Sequence, residues 1–273
     1  MKLSIITINY NNLEGLKKTY DSVVCQTWTD YEWIIIDGGS TDGSREFIEE
    51  HQDRFAYWCS EPDKGVYNAM NKGIAKAKGE YLNFMNSGDC FYEKETLEKV
   101  FSQEHQADIL YGDINFVGKE HNKVFHYPKD LTLHYFLYRS LGHPSTFIRT
   151  FLLKEHGYRE DFRIVSDWAQ FLVWFREGKT FEHLDMIVSL FDLYGISSTN
   201  SSFLKEEKER VFQELFRDED RGWIEESIQF QKEREEHECR EMEQALRLVR
   251  SGGRKRKVLR YFLNIIDWID EHR

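Results

Sequence analysis

The sequence has few of the residues and runs that mark several classes of protein. Its four cysteines, Cys25, Cys59, Cys90 and Cys239, include no C-x-x-C pair, and no histidine cluster accompanies them. Neither a disulfide scaffold nor a zinc finger is therefore indicated. No apolar run reaches the ~18 residues that a membrane-spanning helix needs, and the first residues lack the apolar core of a signal peptide. We expect a cytoplasmic protein with reduced thiols.

Positive charge is also in short supply. The formal net charge is −11, from 37 Lys and Arg against 48 Asp and Glu. Nucleic acid is not an expected partner, and a phosphate-bearing substrate needs local positive charge or a metal, because the global field repels it. With 273 residues, of which 40% are hydrophobic, the chain has enough apolar surface for one large α/β domain with an appendage.

The first ninety residues alternate strand-like and helix-like segments. Apolar and β-branched runs predict buried strands at Leu3–Ile8, Tyr31–Ile36, Phe55–Cys59 and Tyr81–Met85, and helical spacing predicts helices at Leu13–Val24 and Val66–Ala77. This order favours a mostly parallel, doubly wound sheet, in which ligands bind outside the carboxyl ends of the strands. We therefore expect one crevice formed by the loops Asn9–Asn12, Asp37–Gly43, Glu61–Gly65 and Asn86–Asp89.

The remainder of the chain is less regular. Its predicted elements are a strand at Asp108–Tyr111, a hairpin at Ile114–His126 around Gly118, a strand at Thr146–Ile148, a helix at Asp167–Arg176 and a strand at Met186–Tyr194. Beyond these, the segment 205–250 is dense in charge and helical in its periodicity. We predict two domains, residues 1–200 and a charged helical extension, residues 201–273.

The extension ends in a basic amphipathic segment. A block of basic residues at 254–257 precedes an apolar stripe in a predicted helix, Val258–Ile269. Peripheral contact of residues 254–269 with an anionic membrane surface fits this pattern, and so does packing on the protein body. The helices of 205–250 fit either pairing with a second copy, as a homo-oligomer, or folding back on the first domain.

Two of the polar loops carry carboxylates at strand ends. Asp37 can accept hydrogen bonds from a nucleobase or ribose, and the adjacent glycines allow close approach of the backbone. Asp89 can ligate Mg²⁺ or Mn²⁺, which prefer oxygen ligands and often take some of them from a diphosphate. The alternative for Asp37 is an ordinary strand-to-helix turn, and that for Asp89 is a cap of the helix predicted at Glu93–Val100.

Three further positions have comparable alternatives. Lys64 can meet a phosphate and Asp63 a hydroxyl, or their loop is merely solvated. Asp167 opens an apolar helix, where a partly shielded carboxylate suits a general base; the alternative is that Ser166 or Asp167 is an N-cap. His143 is either a substrate contact or a core histidine.

The order and spacing of these segments resemble family 2 glycosyltransferases. The resemblance rests on Ser4–Asn12, Ser22–Thr27, Ile36–Gly43, Ser60–Ile74 and Asn86–Asp89, and extends over Leu3–Tyr194. Ser60–Ile74 most resembles the subgroup associated with bacterial surface-polysaccharide assembly. The resemblance implies a GT-A (Rossmann-like) α/β fold, a mixed and mostly parallel sheet flanked by helices, and an inverting transfer from a nucleotide-sugar, a UDP-sugar by our expectation, to a glycan or lipid-linked hydroxyl.

The resemblance also implies roles for individual residues. Donor contacts are expected from Thr7, Asn9, Tyr10, Asp37, Gly39, Asp63, Lys64, Asn71 and Ser87. Asp89 is the expected metal ligand, Asp167 the base, and His143, Arg149 and Arg163 are candidate acceptor or diphosphate contacts. Two departures stand out, because Gly88 and Gly38 each replace one acid of an Asp-Asp pair that many members carry.

Two other functions stay open at this point. A nucleotidyltransferase would want a glycine-rich, basic loop after the first strand, where this chain has Asn9–Asn12. A degenerate, non-catalytic member would be a membrane-bound assembly partner, although Asp37, Asp89 and Asp167 are all retained.

Overall fold

The structure, a computed structural model, describes residues 1–118, 122–192 and 201–230, together with 232, 233, 237 and 240. The predicted membrane segment, 254–269, lies outside the described residues. By its internal contacts the chain divides into two units, Met1–Arg217 and Asp218–Arg273. The domain boundary at residue 200 stays a prediction, and the helix that directly follows it belongs to the first unit by its contacts.

The first ninety residues form the predicted alternation. The elements are β1 (Leu3–Asn9), α1 (Leu13–Val24), β2 (Tyr31–Asp37), α2 (Ser44–Glu50), β3 (Tyr57–Ser60), α3 (Val66–Lys76) and β4 (Tyr81–Phe84). α1 begins after Asn12, whose side-chain oxygen accepts a hydrogen bond from the Gly15 backbone N–H, a common way to satisfy the free donors of a helix start. Each predicted strand and helix of this region is confirmed to within two residues.

The later elements include three that the sequence did not predict. They continue with β5 (Cys90–Phe91), α4 (Thr96–Phe101), β6 (Ile109–Val117), β7 (Asn122–Phe125), α5 (Leu133–Tyr138), β8 (Thr146–Arg149), α6 (Thr150–His156), α7 (Ser166–Arg176), β9 (Phe181–Asp192) and α8 (Ser201–Leu215). β5, α5 and α6 are the unpredicted ones, and each is too short to show a clear periodicity. The predicted hairpin is confirmed by antiparallel pairing of β6 with β7.

Among the described residues, the strands form a single sheet in the order β3-β2-β1-β4-β8-β6-β9-β5, with β7 also paired to β6. β1, β2, β3 and β4 pair in parallel, as do β6 and β9. β8 runs antiparallel to both of its neighbours. The sheet is therefore mixed and mostly parallel, as expected.

The core lies on both faces of this sheet. Ile34, Ile35 and Ile36 of β2 are all fully buried, which indicates that helices cover both sides of the strand. Helix α1 packs Leu16 and Val23 against one of these faces. The run of isoleucines thus fixes β2 in the middle of the parallel part of the sheet and leaves its carboxyl end free for polar loops.

The second unit is described only in part. It begins with a short 3-10 helix, Asp218–Asp220, and residues 221–230 are helical. In the part of the chain that the structure describes, no helix combines the length and apolar character needed to cross a bilayer.

Candidate active site

The carboxyl ends of four neighbouring parallel strands form the centre of the site. Because β3, β2, β1 and β4 are adjacent, the loops that follow them lie at one edge of the sheet. Asn9 Nδ2 donates to Asp37 Oδ1 at 2.7 Å, and Ser60 Oγ donates to Asp37 Oδ2 at 2.6 Å. Asn12 Nδ2 donates to the Ser87 carbonyl at 3.0 Å. The strand-end loops therefore meet, as the sequence predicts.

Asp37 is the buried hub of this edge. Besides Asn9 and Ser60, its oxygens accept hydrogen bonds from Ser40 Oγ at 2.6 Å, from Ser40 N at 2.9 Å and from Gly39 N at 3.2 Å. Burial alone would raise the pKa of Asp37, but the hydrogen bonds outweigh it and hold the pKa below its usual value. Both oxygens are thus occupied by donors of the protein, and the carboxylate ties β1, β2 and β3 together.

A second carboxylate lies over Gly38. A methyl group at residue 38 would stand 2.6 Å from Asp63 Oδ2 and 3.1 Å from Tyr10 Cδ2, so the missing side chain gives Asp63 its place. The other oxygen of Asp63 accepts a hydrogen bond from Gly65 N at 2.9 Å. Tyr10 is 64% exposed, and Lys64 is exposed as well. An open aromatic ring beside a carboxylate suits a planar base and its ribose hydroxyls.

The loop that carries Asp89 is pinned from α1. Thr19 Oγ1 donates to the Asp89 carbonyl at 2.7 Å and accepts from Gly88 N at 3.0 Å. Gly88 has a φ of 107°, a left-handed conformation that an aspartate would adopt only with strain. An aspartate at residue 88, as in the family pattern, would therefore be strained in this backbone conformation. Asp89 does not cap α4, because that helix begins at Thr96 after Glu95.

Three buried side-chain oxygens at the ends of β1 and β4 have no hydrogen-bond partner among the described residues. They are Asn9 Oδ1, Asn86 Oδ1 and Ser87 Oγ. Buried polar atoms of this kind usually have a partner, so the loop is chemically suited to an external group with donors or a cation. Within the described residues, no group of three His, Cys, Asp or Glu side chains could hold a metal. A cation at Asp89 would therefore need oxygens from a ligand.

Thr7 and Asn71 are engaged within the protein. Thr7 Oγ1 donates to the Met85 carbonyl at 2.7 Å and accepts from Trp33 Nε1 at 3.0 Å. Asn71 accepts from Tyr158 N at 2.7 Å and donates to the Tyr158 carbonyl at 2.8 Å. Thr7 therefore fastens the end of β4 to β1, while Asn71 fastens α3 to the loop that follows α6.

Asp167 lies in the first turn of α7, one residue into the helix. Its Oδ1 accepts a hydrogen bond from the Tyr67 hydroxyl at 2.7 Å, and that hydroxyl also lies 2.6 Å from the Ile164 carbonyl. His143 Nδ1 is 3.7 Å from Asp167 Oδ2, and the Asp167 side chain is 20% exposed. The N-cap position is Val165. Neither Ser166 nor Asp167 is therefore the N-cap, and the Asp167 carboxylate is not engaged in capping α7.

His143 connects Asp167 to the strand ends. Its ring packs 5.3 Å from that of Phe84, the last residue of β4, and its Nε2 lies 3.0 Å from the Tyr158 hydroxyl. Burial lowers the pKa of His143, and the nearby charge of Asp167 offsets this only in part. His143 is therefore neutral at neutral pH, and it does not cancel the charge of Asp167.

Lys208 is a site residue that the sequence did not indicate. Its Nζ lies 4.7 Å from the centre of the Trp168 ring and 3.3 Å from the Tyr138 carbonyl. Burial lowers the pKa of Lys208 to about 8, against the charge of Asp167, which raises it. In the sequence, Lys208 is one of many charges in a helical run, and nothing distinguishes it from its solvated neighbours.

The two candidate arginines lie in different places. Arg149 Nη2 donates to the His105 carbonyl at 2.8 Å, and its guanidinium packs 4.3 Å from the Tyr81 ring. Tyr81 is the first residue of β4, so Arg149 lies at the opposite end of that strand from the polar loops and is not brought to the site. Arg163 lies four residues before Asp167, exposed and stacked 5.1 Å from Phe203.

The fold is the GT-A type of glycosyltransferases. S. aureus TarS, solved in complex with UDP-GlcNAc, superposes with a TM-score of 0.63 at 19% identity, covering 84% of this chain and 70% of that one. The mannosyltransferase PcManGT from Pyrobaculum calidifontis, solved with GDP-Man and Mn²⁺, gives 0.54 at 16% identity, covering 70% and 56%. At these identities the likeness concerns the fold alone.

The chain belongs to glycosyl transferase family 2, whose profile matches residues 4–162. An uncharacterised glycosyltransferase of Mycobacterium tuberculosis is 48% identical over 90 residues, which is 33% of this chain and 34% of that relative. A PGL/p-HBAD biosynthesis glycosyltransferase of Mycobacterium bovis is 33% identical over 174 residues, 60% of this chain and 66% of the relative. The first of these matches thus spans about a third of that relative's length, and Asp167 lies beyond the end of the family profile.

Proposed function

We propose that the protein transfers a sugar, with inversion, from a nucleotide-sugar to a hydroxyl of a glycan or lipid-linked acceptor, and that Asp167 is the general base. The observation that carries this proposal is the continuity of the site. Phe84 at the end of β4 packs on His143, and His143 lies 3.7 Å from Asp167. A half-buried carboxylate therefore stands next to the strand ends where ligands of this fold bind.

We assign the nucleoside to Tyr10 and Asp63. Tyr10 offers an exposed ring for the base, and Asp63, lying over Gly38, offers a carboxylate oxygen for a base N–H or a ribose hydroxyl. Asp37 supports this pocket from below, since its oxygens are already occupied. We propose a UDP-sugar as the donor, which agrees with UDP-GlcNAc in the TarS structure, whereas PcManGT holds GDP-Man.

We propose that Mn²⁺ or Mg²⁺ assists the transfer. Asp89 would hold the ion together with diphosphate oxygens, and the same loop contains Ser87 Oγ and Asn86 Oδ1, buried oxygens that have no hydrogen-bond partner in the described part of the chain. A bound ion of this kind neutralises charge on the departing nucleoside diphosphate. Lys64, exposed in the neighbouring loop, would meet a phosphate as a point charge. The Mn²⁺ in the PcManGT structure supports the assignment.

The chemistry follows from the protonation states around Asp167. Its carboxylate removes the proton of the acceptor hydroxyl, and that oxygen forms a bond to the anomeric carbon while the bond from that carbon to the diphosphate breaks. The bonding electrons leave with the diphosphate, and the proton stays on Asp167. Burial raises the pKa of Tyr67, so its hydroxyl remains a donor to the carboxylate and orients it toward the acceptor.

The class of acceptor rests on the relatives. The PGL/p-HBAD biosynthesis glycosyltransferase supports a glycan or lipid-linked acceptor of a bacterial surface polysaccharide or glycolipid. His143 lies 3.7 Å from Asp167, Arg163 precedes Asp167 by four residues, and we propose that both face the acceptor. A cytoplasmic location, with peripheral contact of residues 254–269 with a membrane, completes the proposal.

The test measures donor turnover and donor binding separately. The full chain is incubated with Mn²⁺, a lipid-linked sugar as the acceptor and one of UDP-GlcNAc, UDP-glucose, UDP-galactose or GDP-mannose, and release of the nucleoside diphosphate is followed. For a donor that is turned over, Asp167→Asn should lower kcat by about 10²- to 10⁴-fold and leave the affinity for UDP unchanged. Asp89→Ala should abolish the Mn²⁺ dependence of UDP binding measured by calorimetry.

Asp185→Asn is the matched control for the loss of one carboxylate, because Asp185 is 83% exposed and pairs only with Lys129 in the described part of the chain. Equal turnover by the wild type and Asp167→Asn would contradict the role of the base. UDP binding that ignores both Mn²⁺ and Asp89→Ala would contradict the metal assignment.

A further inference from the structure

Helix α8 lies outside the residues that match the family profile, yet it bonds to the loop that directly precedes the helix of Asp167. One oxygen of Glu207 accepts a hydrogen bond from Arg163 N at 2.7 Å, and the other accepts from Ile164 N at 3.0 Å and from Val165 N at 3.3 Å. These are the N–H groups just ahead of α7, whose own N-cap, Val165, supplies no side-chain acceptor. Glu207 therefore satisfies three successive backbone donors of the loop that leads into α7.

The peptide groups of Ile164 link Glu207 to the base. The Ile164 N–H donates to Glu207, while the Ile164 carbonyl accepts from the Tyr67 hydroxyl at 2.6 Å. The same hydroxyl lies 2.7 Å from Asp167 Oδ1. A hydroxyl has a single proton, so the Ile164 carbonyl and the Asp167 carboxylate share it, and the position of Ile164 decides how much of it Asp167 receives.

A second group of contacts holds α8 against the same loop. Arg210 of α8 pairs with Asp161, and Glu214 pairs with Arg159. The guanidinium groups of Arg159 and Arg210 lie 4.2 and 4.6 Å from the ring of Phe162, which is buried. These contacts fix the second half of α8 and leave Glu207, one turn earlier, aimed at residues 163–165.

We propose that Glu207 is a positioning residue for Asp167. It holds the loop 163–165 so that the Ile164 carbonyl and Asp167 divide the Tyr67 proton in a fixed geometry. The inference rests on the proposed role of Asp167 as the base. It assigns a function to a residue of α8, a helix that lies beyond the end of the family profile. When Asp167 takes up the acceptor proton, the Ile164 carbonyl remains as the acceptor for Tyr67, so the hydroxyl can turn without losing its partner.

The experiment is a double-mutant cycle in the full chain. Glu207→Gln, Tyr67→Phe and the double variant are compared in kcat and in KM for the UDP-sugar that the wild type turns over. We expect each single change to lower kcat about tenfold with the donor KM within a factor of two. In the Tyr67→Phe background, Glu207→Gln should lower kcat much less than it does in the wild type, because the shared proton is already absent. If Glu207 were merely structural, the two substitutions would act independently and their fold losses in kcat would multiply. That result would overturn the proposal.

Hydrogen exchange followed by mass spectrometry gives a readout that does not need turnover. Glu207→Gln should speed amide exchange across 163–167, and Glu206→Gln, a change at the exposed preceding residue of α8, should leave both exchange and kcat unchanged. Unaltered exchange in Glu207→Gln would overturn the proposal by itself. Lack of turnover by the wild type with every donor would instead contradict the proposed function, so the two failures are distinguishable.

Discussion

The strand-end loops of β1 to β4 and the segment around Asp167 are held in place by different means. At the strand ends, buried short side chains bond to one another across adjacent parallel strands, as Asn9, Asp37 and Ser60 do. Around Asp167, the Tyr67 hydroxyl of α3 donates to the carboxylate and Lys208 of α8 packs on the ring of the next residue, Trp168, so the contacts bridge elements that are far apart in sequence. The first arrangement is part of the sheet itself, whereas the second depends on helices docked onto it.

Substitutions in the two regions should therefore affect different properties of the protein, its stability in the first region and the chemistry of Asp167 in the second. Loss of a hydrogen-bonding side chain from the network at the strand ends should lower the stability of the sheet, because its donors lose their acceptors. Damage around Asp167 should alter protonation and geometry while the sheet persists. Three changes, in order of decreasing effect, test the separation.

Asp37→Ala should lower the free energy of unfolding by about 3 kcal/mol, since the buried donor of Asn9 and the partly buried donors of Ser40 and Ser60 lose their acceptor at ~1–3 kcal/mol per unsatisfied group. Because the folded-state pKa of Asp37 lies below its usual value, its contribution is present above the unfolded pKa of about 3.9 and is lost as pH falls further. Urea unfolding at pH 7 and at pH 3 measures both effects.

Asp42→Ala serves as the comparison for this change. Asp42 is exposed, and its carboxylate accepts a hydrogen bond from Ser44 N at the start of α2, so its loss should cost only about 1 kcal/mol. Equal losses of unfolding free energy in Asp37→Ala and Asp42→Ala would show that the hydrogen bonds of Asp37 contribute no more to stability than those of an exposed carboxylate.

Gly38→Ala should weaken UDP binding about tenfold, which is ~1.4 kcal/mol, with the unfolding midpoint unchanged. The added methyl group meets Asp63 Oδ2 at 2.6 Å and displaces that carboxylate from the nucleoside, while the φ of Gly38 is not one that an alanine avoids. Calorimetry with UDP measures the loss. In an Asp63→Ala background Gly38→Ala should add nothing, and a full further loss there would contradict our assignment of Asp63.

Lys208→Met should remove a pH dependence of about 1 kcal/mol from the unfolding free energy, because solvent around the partly exposed side chain screens about half of the ~2 kcal/mol that its folded and unfolded pKa values imply between about pH 8 and about pH 10. The pKa of Lys208 is about 8 in the folded chain and about 10.4 in an unfolded one, so between these values only the unfolded state holds the proton. The wild type should therefore gain stability relative to the variant as pH rises from about 8 to about 10. Parallel curves for the two proteins over this range would contradict the burial of the ammonium group.

The parallel part of the fold could be predicted from the sequence because each of its strands is a continuous apolar run that ends in a polar loop. Tyr31–Ile36 followed by Asp37 is an example, and β2 indeed ends at Asp37. In parallel strands the chain direction is fixed by the helices between them, so carboxyl ends coincide and the loops must meet. The local sequence pattern of these strands and helices was therefore sufficient to predict this part of the fold.

The position of Arg149 could not be predicted from the local pattern. The strand Thr146–Ile148 was predicted, but a short apolar run does not encode its direction. β8 runs antiparallel to β4, which carries its last residue, Arg149, to the amino end of that neighbour. The roles of Tyr67 and Lys208 were missed for a related reason, since both depend on contacts between helices distant in sequence, which a periodic pattern does not specify.

The position of Tyr67 links the two regions along a single helix. Tyr67 is the second residue of α3, and the loop directly before that helix contains Asp63 and Lys64. A ligand that moves this loop also moves the hydroxyl that donates to Asp167. The proposed nucleotide pocket and the proposed base are thus joined through the first turn of α3, and we expect occupancy of the pocket to act on Asp167 through Tyr67.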